Sequence, residues 1–225
     1  MRKLLRIVVM TSALLMPMLL QAEWSGGIEG GTVIRDGSTA SRLRLHASLN
    51  ERPLSHYVYA DWIRSGSNSY EIGYRPRYWF SDQWYTFGDA SLRIDDQLQI
   101  DNEILLVSGL GYELINTAQR QAWLEAGLGF RSTDYTPESG IEESEEGLGL
   151  IRGRASQVLS DLLRLEVDGN FTASNSYLES QLEIGVSLRL AQGAIKISQR
   201  IRRIEFDEFD TINETDTSVG FTVGF

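Results

Sequence analysis

Hydrophobic and polar residues alternate along the second half of the chain with the period of two that predicts β-strands. Within residues 119–133 the apolar positions are Ala122, Leu124, Ala126, Leu128 and Phe130. The positions between them hold Glu125, Gly127, Gly129 and Arg131, so this strand has one apolar and one polar face. Residues 161–173, 177–191 and 214–225 repeat the division.

The whole chain after residue 22 divides into about 12 such segments, separated by clusters of Asp, Asn, Ser, Gly and Glu. The predicted segments are residues 23–34, 39–50, 54–65, 68–79, 82–95, 98–115, 119–133, 146–157, 161–173, 177–191, 193–206 and 214–225. Their even number, and connections that alternate between short turns and a second set that includes the longest polar stretches, predict an antiparallel up-and-down barrel. Residues 134–145 and 207–213 are the long connections, and both fall on the same predicted side.

Alternation alone does not decide whether lipid or water surrounds the apolar face, and a soluble periplasmic sandwich is the competing interpretation. Segments of about 11 to 14 residues suit a tilted crossing of a bilayer better than a soluble strand. Aromatic residues crowd at segment ends, as in the interfacial girdles of outer-membrane barrels: Tyr57, Tyr59, Trp62, Tyr74, Tyr78, Trp79, Phe80, Trp84 and Tyr85. We therefore predict a transmembrane β-barrel over residues 23–225.

The first 22 residues have the features of a cleaved signal peptide. Arg2, Lys3 and Arg6 form a basic start, residues 7–20 are apolar, and Ala22 offers a small residue before a cut. An uncleaved anchor is the alternative, but Pro17 interrupts a run shorter than a membrane helix needs. At the other end, Phe221, Val223 and Phe225 lie on the apolar face of the last segment and resemble the C-terminal signal that barrels present to the outer-membrane assembly machinery. We expect export to the cell outer membrane.

The stretch Tyr78 to Arg131, with RYWFSDQWYTFGDASLRIDD, LLVSGLGYELI and WLEAGLGFRST, resembles the salt-induced outer-membrane protein family. The resemblance extends over most of residues 23–225 and implies a barrel in the outer membrane, and the function of that family is unassigned. It supplies no catalytic residues.

The predicted interior holds charges of both signs, which either line a pore and set its ion selectivity or neutralise one another and fill the lumen. These lumen-facing residues are Arg42, Arg44, Asp61, Glu71, Arg75, Arg77, Asp89, Arg93, Glu125, Arg131, Arg164, Glu166, Asp168, Glu183, Arg189, Lys196, Arg200 and Arg202. In residues 146–157, Leu148 and Leu150 share a face with Arg152 and Arg154, which predicts either a bulge or arginines that reach a rim. Gly147, Gly149 and Gly153 are interpreted as small interior residues.

Composition excludes several kinds of function. The formal net charge is −10 and becomes more negative once the basic leader is removed, so nucleic acid is not an expected partner. The chain has no Cys, which removes thiol nucleophiles and thiolate metal sites. Acidic residues cluster in residues 134–146 and 205–214, but without the spacing of a calcium loop, so neither a metal nor a cofactor is predicted.

Two functions remain open from the sequence. A narrow pore or an envelope-structural, stress-related barrel needs only ions, small solutes, outer-membrane lipid and lipopolysaccharide as partners. The alternative is a lipid-modifying hydrolase, in which His46 and Ser48, two apart on one strand, would act as base and nucleophile with Asp61 or Glu71 as orienting groups.

Overall fold

Twelve antiparallel strands form a closed barrel in the computed structural model, which describes residues 24–35, 38–65, 67–139, 143–206 and 211–224. The strands are β1 (Ser25–Arg35), β2 (Ser38–Glu51), β3 (Leu54–Ser65), β4 (Ser67–Trp79), β5 (Trp84–Asp95), β6 (Ile100–Asn116), β7 (Arg120–Tyr135), β8 (Ser144–Val158), β9 (Leu163–Ser174), β10 (Tyr177–Leu190), β11 (Gly193–Phe206) and β12 (Ile212–Gly224). Each pairs with its neighbours in sequence, and β1 closes the barrel against β12 from Gly27↔Gly224 to Arg35↔Asp216. The predicted strand number, order and approximate bounds are confirmed.

The two ends of the barrel differ in their connections. One end, called here the terminal end, carries the start of β1, the end of β12 and five turns of at most four residues. The other, the loop end, carries the two longest connections, residues 136–143 and 207–211, as the sequence predicts. A single turn of 3-10 helix, Pro137–Ser139, lies in the first of these. The predicted signal peptide lies outside the described residues and stays a prediction.

The outer surface is apolar and the interior is polar, which is the inverse of a soluble protein. Large hydrophobic side chains on the outer face of every strand are exposed, up to 77% for Leu128 in the middle of β7. In water, exposed apolar area of this kind costs about 25 cal/mol per Å², whereas lipid tails accept it freely. The closed ladder also leaves no unpaired strand edge, which is the condition for β-structure in a bilayer. The protein is therefore a membrane barrel and not a sandwich.

Among the described residues, no helix is long and apolar enough to cross a membrane.

The aromatic residues at the strand ends divide between the two faces. Tyr74, Tyr78, Phe80 and Trp84 are exposed on the outer surface, where a girdle is expected. Others point inward: Tyr57 and Tyr59 line the interior cavity, and Tyr85 is fully buried. The sequence prediction of a girdle was wrong for this second group. Successive residues of a strand point to opposite faces, and aromatic residues near these strand ends occupy both the inward and the outward positions.

The bulge considered for β8 is absent. β8 pairs with β7 from Arg120↔Gln157 to Thr133↔Ser144 and with β9 over eleven consecutive positions, without a shift in register. The irregular pairings lie instead at β6, beside Ile100 and near Ile115. Leu148, Leu150 and Arg152 all face the interior, and Gly147, Gly149 and Gly153 therefore face outward. The interpretation of these glycines as interior residues was wrong. It assumed that Leu148 and Leu150 face the lipid, which would turn the glycines that alternate with them toward the interior.

Candidate functional site

The barrel interior contains a cavity of about 380 Å³. Ten basic and eight acidic side chains line it, together with Tyr57, Tyr59 and a few apolar residues. The structure brings thirteen of the eighteen lumen-facing residues named from the sequence to this lining, and ten of them are Arg42, Arg44, Arg75, Asp89, Arg93, Arg131, Asp168, Glu183, Lys196 and Arg200. Asp61, Glu71 and Arg202 join them.

Five further residues lie outside the cavity lining. Arg77, Glu125 and Glu166 form interior ion pairs. Arg164 and Arg189 occupy inward-alternating positions near the terminal end of β9 and β10, where Arg189 is exposed.

Glu125 on β7 is the centre of the interior charge network. Its carboxylate is 0% exposed and accepts hydrogen bonds from Arg152 Nε and, at 3.0 Å, from the Tyr85 hydroxyl. Arg77 Nη2 lies 2.7 Å from the same carboxylate. Because an isolated buried carboxylate is strongly unfavourable, these three partners offset the cost of its burial.

Arg152 extends the network across the interior. Its Nη1 binds Asp89 on β5, while Arg75 Nε reaches Asp89 Oδ2 at 2.9 Å. Arg75 also donates to the Tyr59 hydroxyl at 3.3 Å. The hydroxyl of Tyr59 in turn donates to Glu71 at 2.5 Å. Strands β3, β4, β5, β7 and β8 are thus joined through their inward side chains.

An apolar cluster fills the interior beside this network. Its buried members are Tyr85, Phe87, Val107, Leu148 and Leu150. Glycines on the adjacent strands make the space: a Cβ at Gly111 would lie 2.2 Å from the Tyr85 ring, and one at Gly127 would lie 2.9 Å from the Phe87 ring. The Gly-x-Gly repeats at Gly109 and Gly127 therefore have a packing role on this side of the barrel.

The side of the interior opposite this apolar cluster carries long basic side chains, and glycines occupy positions between them. Asp61 Oδ2 binds Arg42 Nη2 at 2.5 Å and Arg44 Nη2 at 2.8 Å. Lys196 Nζ lies 3.1 Å from Glu183 and 3.6 Å from Glu166. The register places Gly31 and Gly220 between Arg42 and Lys196, so the strands between these two cations carry no side chain at that level.

A third group of charges lies near the loop end, and we call it the loop-end layer: Arg93, Glu103, Arg131, Tyr177, Glu179 and Arg202. Arg93 Nε is 3.3 Å from Glu103 Oε1, and Arg202 Nε is 2.7 Å from Glu179 Oε1. The Arg131 guanidinium lies 3.7 Å from the centre of the Tyr177 ring and also pairs with Glu146.

Sequence reasoning missed part of the interior. Arg152 and Arg154 were placed at a rim or a bulge, and Glu103 and Glu179 were not singled out. Continuous alternation through β8 was the available signal for Arg152. Glu103 pairs with Arg93 on the preceding strand and Glu179 with Arg202 on the following one, so the alternation of these hairpins was the available signal for both.

The structure does not support the hydrolase alternative with a catalytic arrangement of His46 and Ser48. His46 and Ser48 both take inward positions near the terminal end of β2, but within the described chain no hydrogen bond joins them. The Ser48 hydroxyl lies 3.0 Å from Ser25 Oγ and 3.3 Å from Asn50 Nδ2. Asp61 and Glu71, the suggested orienting groups, are engaged by arginines and by Tyr59.

Phe221 and Val223 lie on the lipid-facing side of β12, 43% and 44% exposed. Phe225 is outside the described residues, so the assembly signal stays a prediction. In the described part of the chain, no group of three or more His, Cys, Asp or Glu side chains is arranged to hold a metal ion.

Comparison with known proteins agrees with this architecture. Residues 40–225 match the family described as "Protein of unknown function, DUF481". The chain belongs to the DUF481 family. No curated protein matches the sequence. The expected membership of an outer-membrane barrel family is supported, and induction by salt stays a prediction.

Solved structures similar to this DUF481 protein include outer-membrane channels. The NanC porin aligns with a TM-score of 0.61 at 10% identity, over 87% of this chain and 98% of the porin. The KdgM porin, in complex with disordered oligogalacturonate, gives 0.57 at 12% identity, over 88% and 99%. An outer-membrane channel from Pseudomonas putida F1 gives 0.53 at 10% identity, over 90% and 94%. At these identities the likeness establishes the fold, and with the apolar outer surface it places the protein in the outer membrane.

Proposed function

We propose that this DUF481 protein is a narrow outer-membrane channel for ions and small polar solutes. The observation that carries the proposal is the cavity of about 380 Å³, lined by ten basic and eight acidic side chains. A barrel with a purely structural role has no need of an internal cavity, and an apolar interior would fill it at lower electrostatic cost. Rings of charged side chains are the usual means by which channels select ions.

The similar structures support a solute path through a barrel of this size. Two are named as porins and a third as a channel, and one porin was solved with oligogalacturonate. We carry over only the use of the lumen as a path, and not the identity of the solute.

The charges of this lumen are paired, so removal of a single charged side chain changes the local electrostatic potential. Lys196 pairs with Glu183, which lines the cavity, and with Glu166, which also pairs with Arg154, so removal of Lys196 leaves these two interior carboxylates with one cation fewer. Cation permeation should become easier, since the local potential becomes more negative.

The test is the reversal potential of purified residues 23–225 in a planar bilayer with a KCl gradient. We expect Lys196→Gln to raise the ratio of potassium to chloride permeability about twofold or more. Arg203→Gln is the matched control, because Arg203 lies on the same strand but has a 56% exposed side chain outside the lumen. An equal shift in both variants, or no shift in Lys196→Gln, would argue against conduction along the charged interior.

A further inference from the structure

The loop-end layer connects walls of the barrel that are not neighbours. Arg131 is on β7 and Tyr177 begins β10, and two strands separate them around the barrel. Their contact, 3.7 Å from guanidinium carbon to ring centre, is therefore a chord through the interior and not a cross-strand pair. Both side chains are buried.

Ion pairs on two opposite walls lie in the same layer. Arg93 on β5 is paired with Glu103 on β6, and Arg202 on β11 is paired with Glu179 on β10. β5 and β11 stand half of the barrel circumference apart. The loop-end layer forms the part of the cavity lining nearest the loop end, and the Arg131–Tyr177 contact crosses the interior there.

We propose that the loop-end layer is the constriction of the channel, and that the Arg131–Tyr177 contact sets its size limit. The inference rests on the proposed channel function. The layer admits small ions, which pass among mobile charged side chains, and it excludes neutral solutes of sugar size. An arginine stacked on an aromatic ring suits this task, because the cation–π attraction holds the two groups together while each is also bound to its own wall, Arg131 to Glu146 and Tyr177 to Glu179.

The layer also has a purely mechanical interpretation, in which it only ties the walls together. The two interpretations differ in one measurable property. A mechanical tie affects stability alone, whereas a constriction decides which solutes cross the folded barrel.

The experiment measures sugar entry into liposomes that contain the folded protein, together with its ion conductance in planar bilayers. Tyr177→Ala removes the ring, and we expect pentose and hexose entry to rise about fivefold or more over wild type. Tyr177→Phe keeps the ring and removes the hydroxyl that donates to Glu179, so it should retain the wild-type size limit. Tyr57→Ala is the matched control, because Tyr57 lines the cavity nearer the terminal end and outside the layer.

Arg131→Gln removes the cation from the other partner and should reproduce the effect of Tyr177→Ala, which protects the test if one variant does not fold. Migration of the unheated protein on a gel checks folding in each case. Ion conductance in wild type with unchanged sugar entry in both Tyr177→Ala and Arg131→Gln would overturn the constriction and leave the channel standing. A similar rise in Tyr57→Ala would overturn it as well. Silence of wild type and of every folded variant would overturn both proposals.

Discussion

Glu125 illustrates how single residues hold this interior together. It has no exposure to solvent, and Arg77, Arg152 and Tyr85 satisfy its carboxylate. Removal of one member of such a buried pair leaves an uncompensated charge, which typically costs about 3 to 5 kcal/mol. The alternation of β7 predicted that Glu125 faces inward. It did not predict its partners, because Arg77 and Tyr85 come from strands 40 or more residues earlier in the chain.

Glycines at tightly packed positions of the interior are as sensitive to substitution as the charged residues are. Gly111→Ala would place a methyl group 2.2 Å from the Tyr85 ring, which is itself fully buried in the apolar cluster. We expect a loss of about 1 to 3 kcal/mol in the free energy of unfolding, as for overpacked cores. Urea unfolding of the barrel in lipid vesicles would measure it.

Gly169→Ala is the control for that substitution. Gly169 faces outward on β9, and a Cβ there meets nothing within 4 Å. The variant should be neutral or gain up to about 1 kcal/mol, because alanine loses less conformational freedom than glycine on folding. Equal destabilisation by both changes would mean that backbone effects, and not the Tyr85 ring, decide the cost.

At the scale of elements, strand alternation predicted the facing of most of the barrel, and β8 shows where it failed. Apolar residues were assigned to lipid and charged ones to the lumen, so Leu148 and Leu150 conflicted with Arg152 on the same face. In the structure all three point inward, because the interior holds an apolar cluster as well as charges. A sequence pattern records polarity, and it does not show which apolar side chains pack across the lumen.

The lipid-facing assignment of β7 can be tested directly. Leu128 lies in the middle of the strand on the outer face, so Leu128→Arg should cost about 2 to 4 kcal/mol in the free energy of folding into lipid vesicles. Leu159→Arg offers the comparison, since Leu159 lies in the turn between β8 and β9 and should cost about 0 to 1 kcal/mol. If the turn variant lost as much stability as the strand variant, the assignment of Leu128 to the lipid and of Leu159 to a turn outside the bilayer would be wrong.

At the scale of the whole molecule, the barrel combines a filled side with an open one. The aromatic and aliphatic cluster occupies the interior by β5 to β8, while cavity-lining cations such as Arg42, Lys196 and Arg200 lie toward β2 and β11. The sequence left open whether twelve strands would enclose a lumen or a filled core. The structure contains both, because the apolar cluster fills part of the interior and the charged side chains leave a cavity beside it, and a sequence pattern does not report how much space side chains fill.

The central claim is that this barrel conducts, and single-channel recording tests it most directly. Residues 23–225, refolded and shown to migrate as a compact barrel before heating, would be added to a planar bilayer in KCl. The account predicts small, steady conductance steps, as expected for a lumen narrowed by paired side chains. A correctly folded barrel that inserts and stays silent, in wild type and in Tyr177→Ala alike, would contradict it and would make the charged interior a structural core.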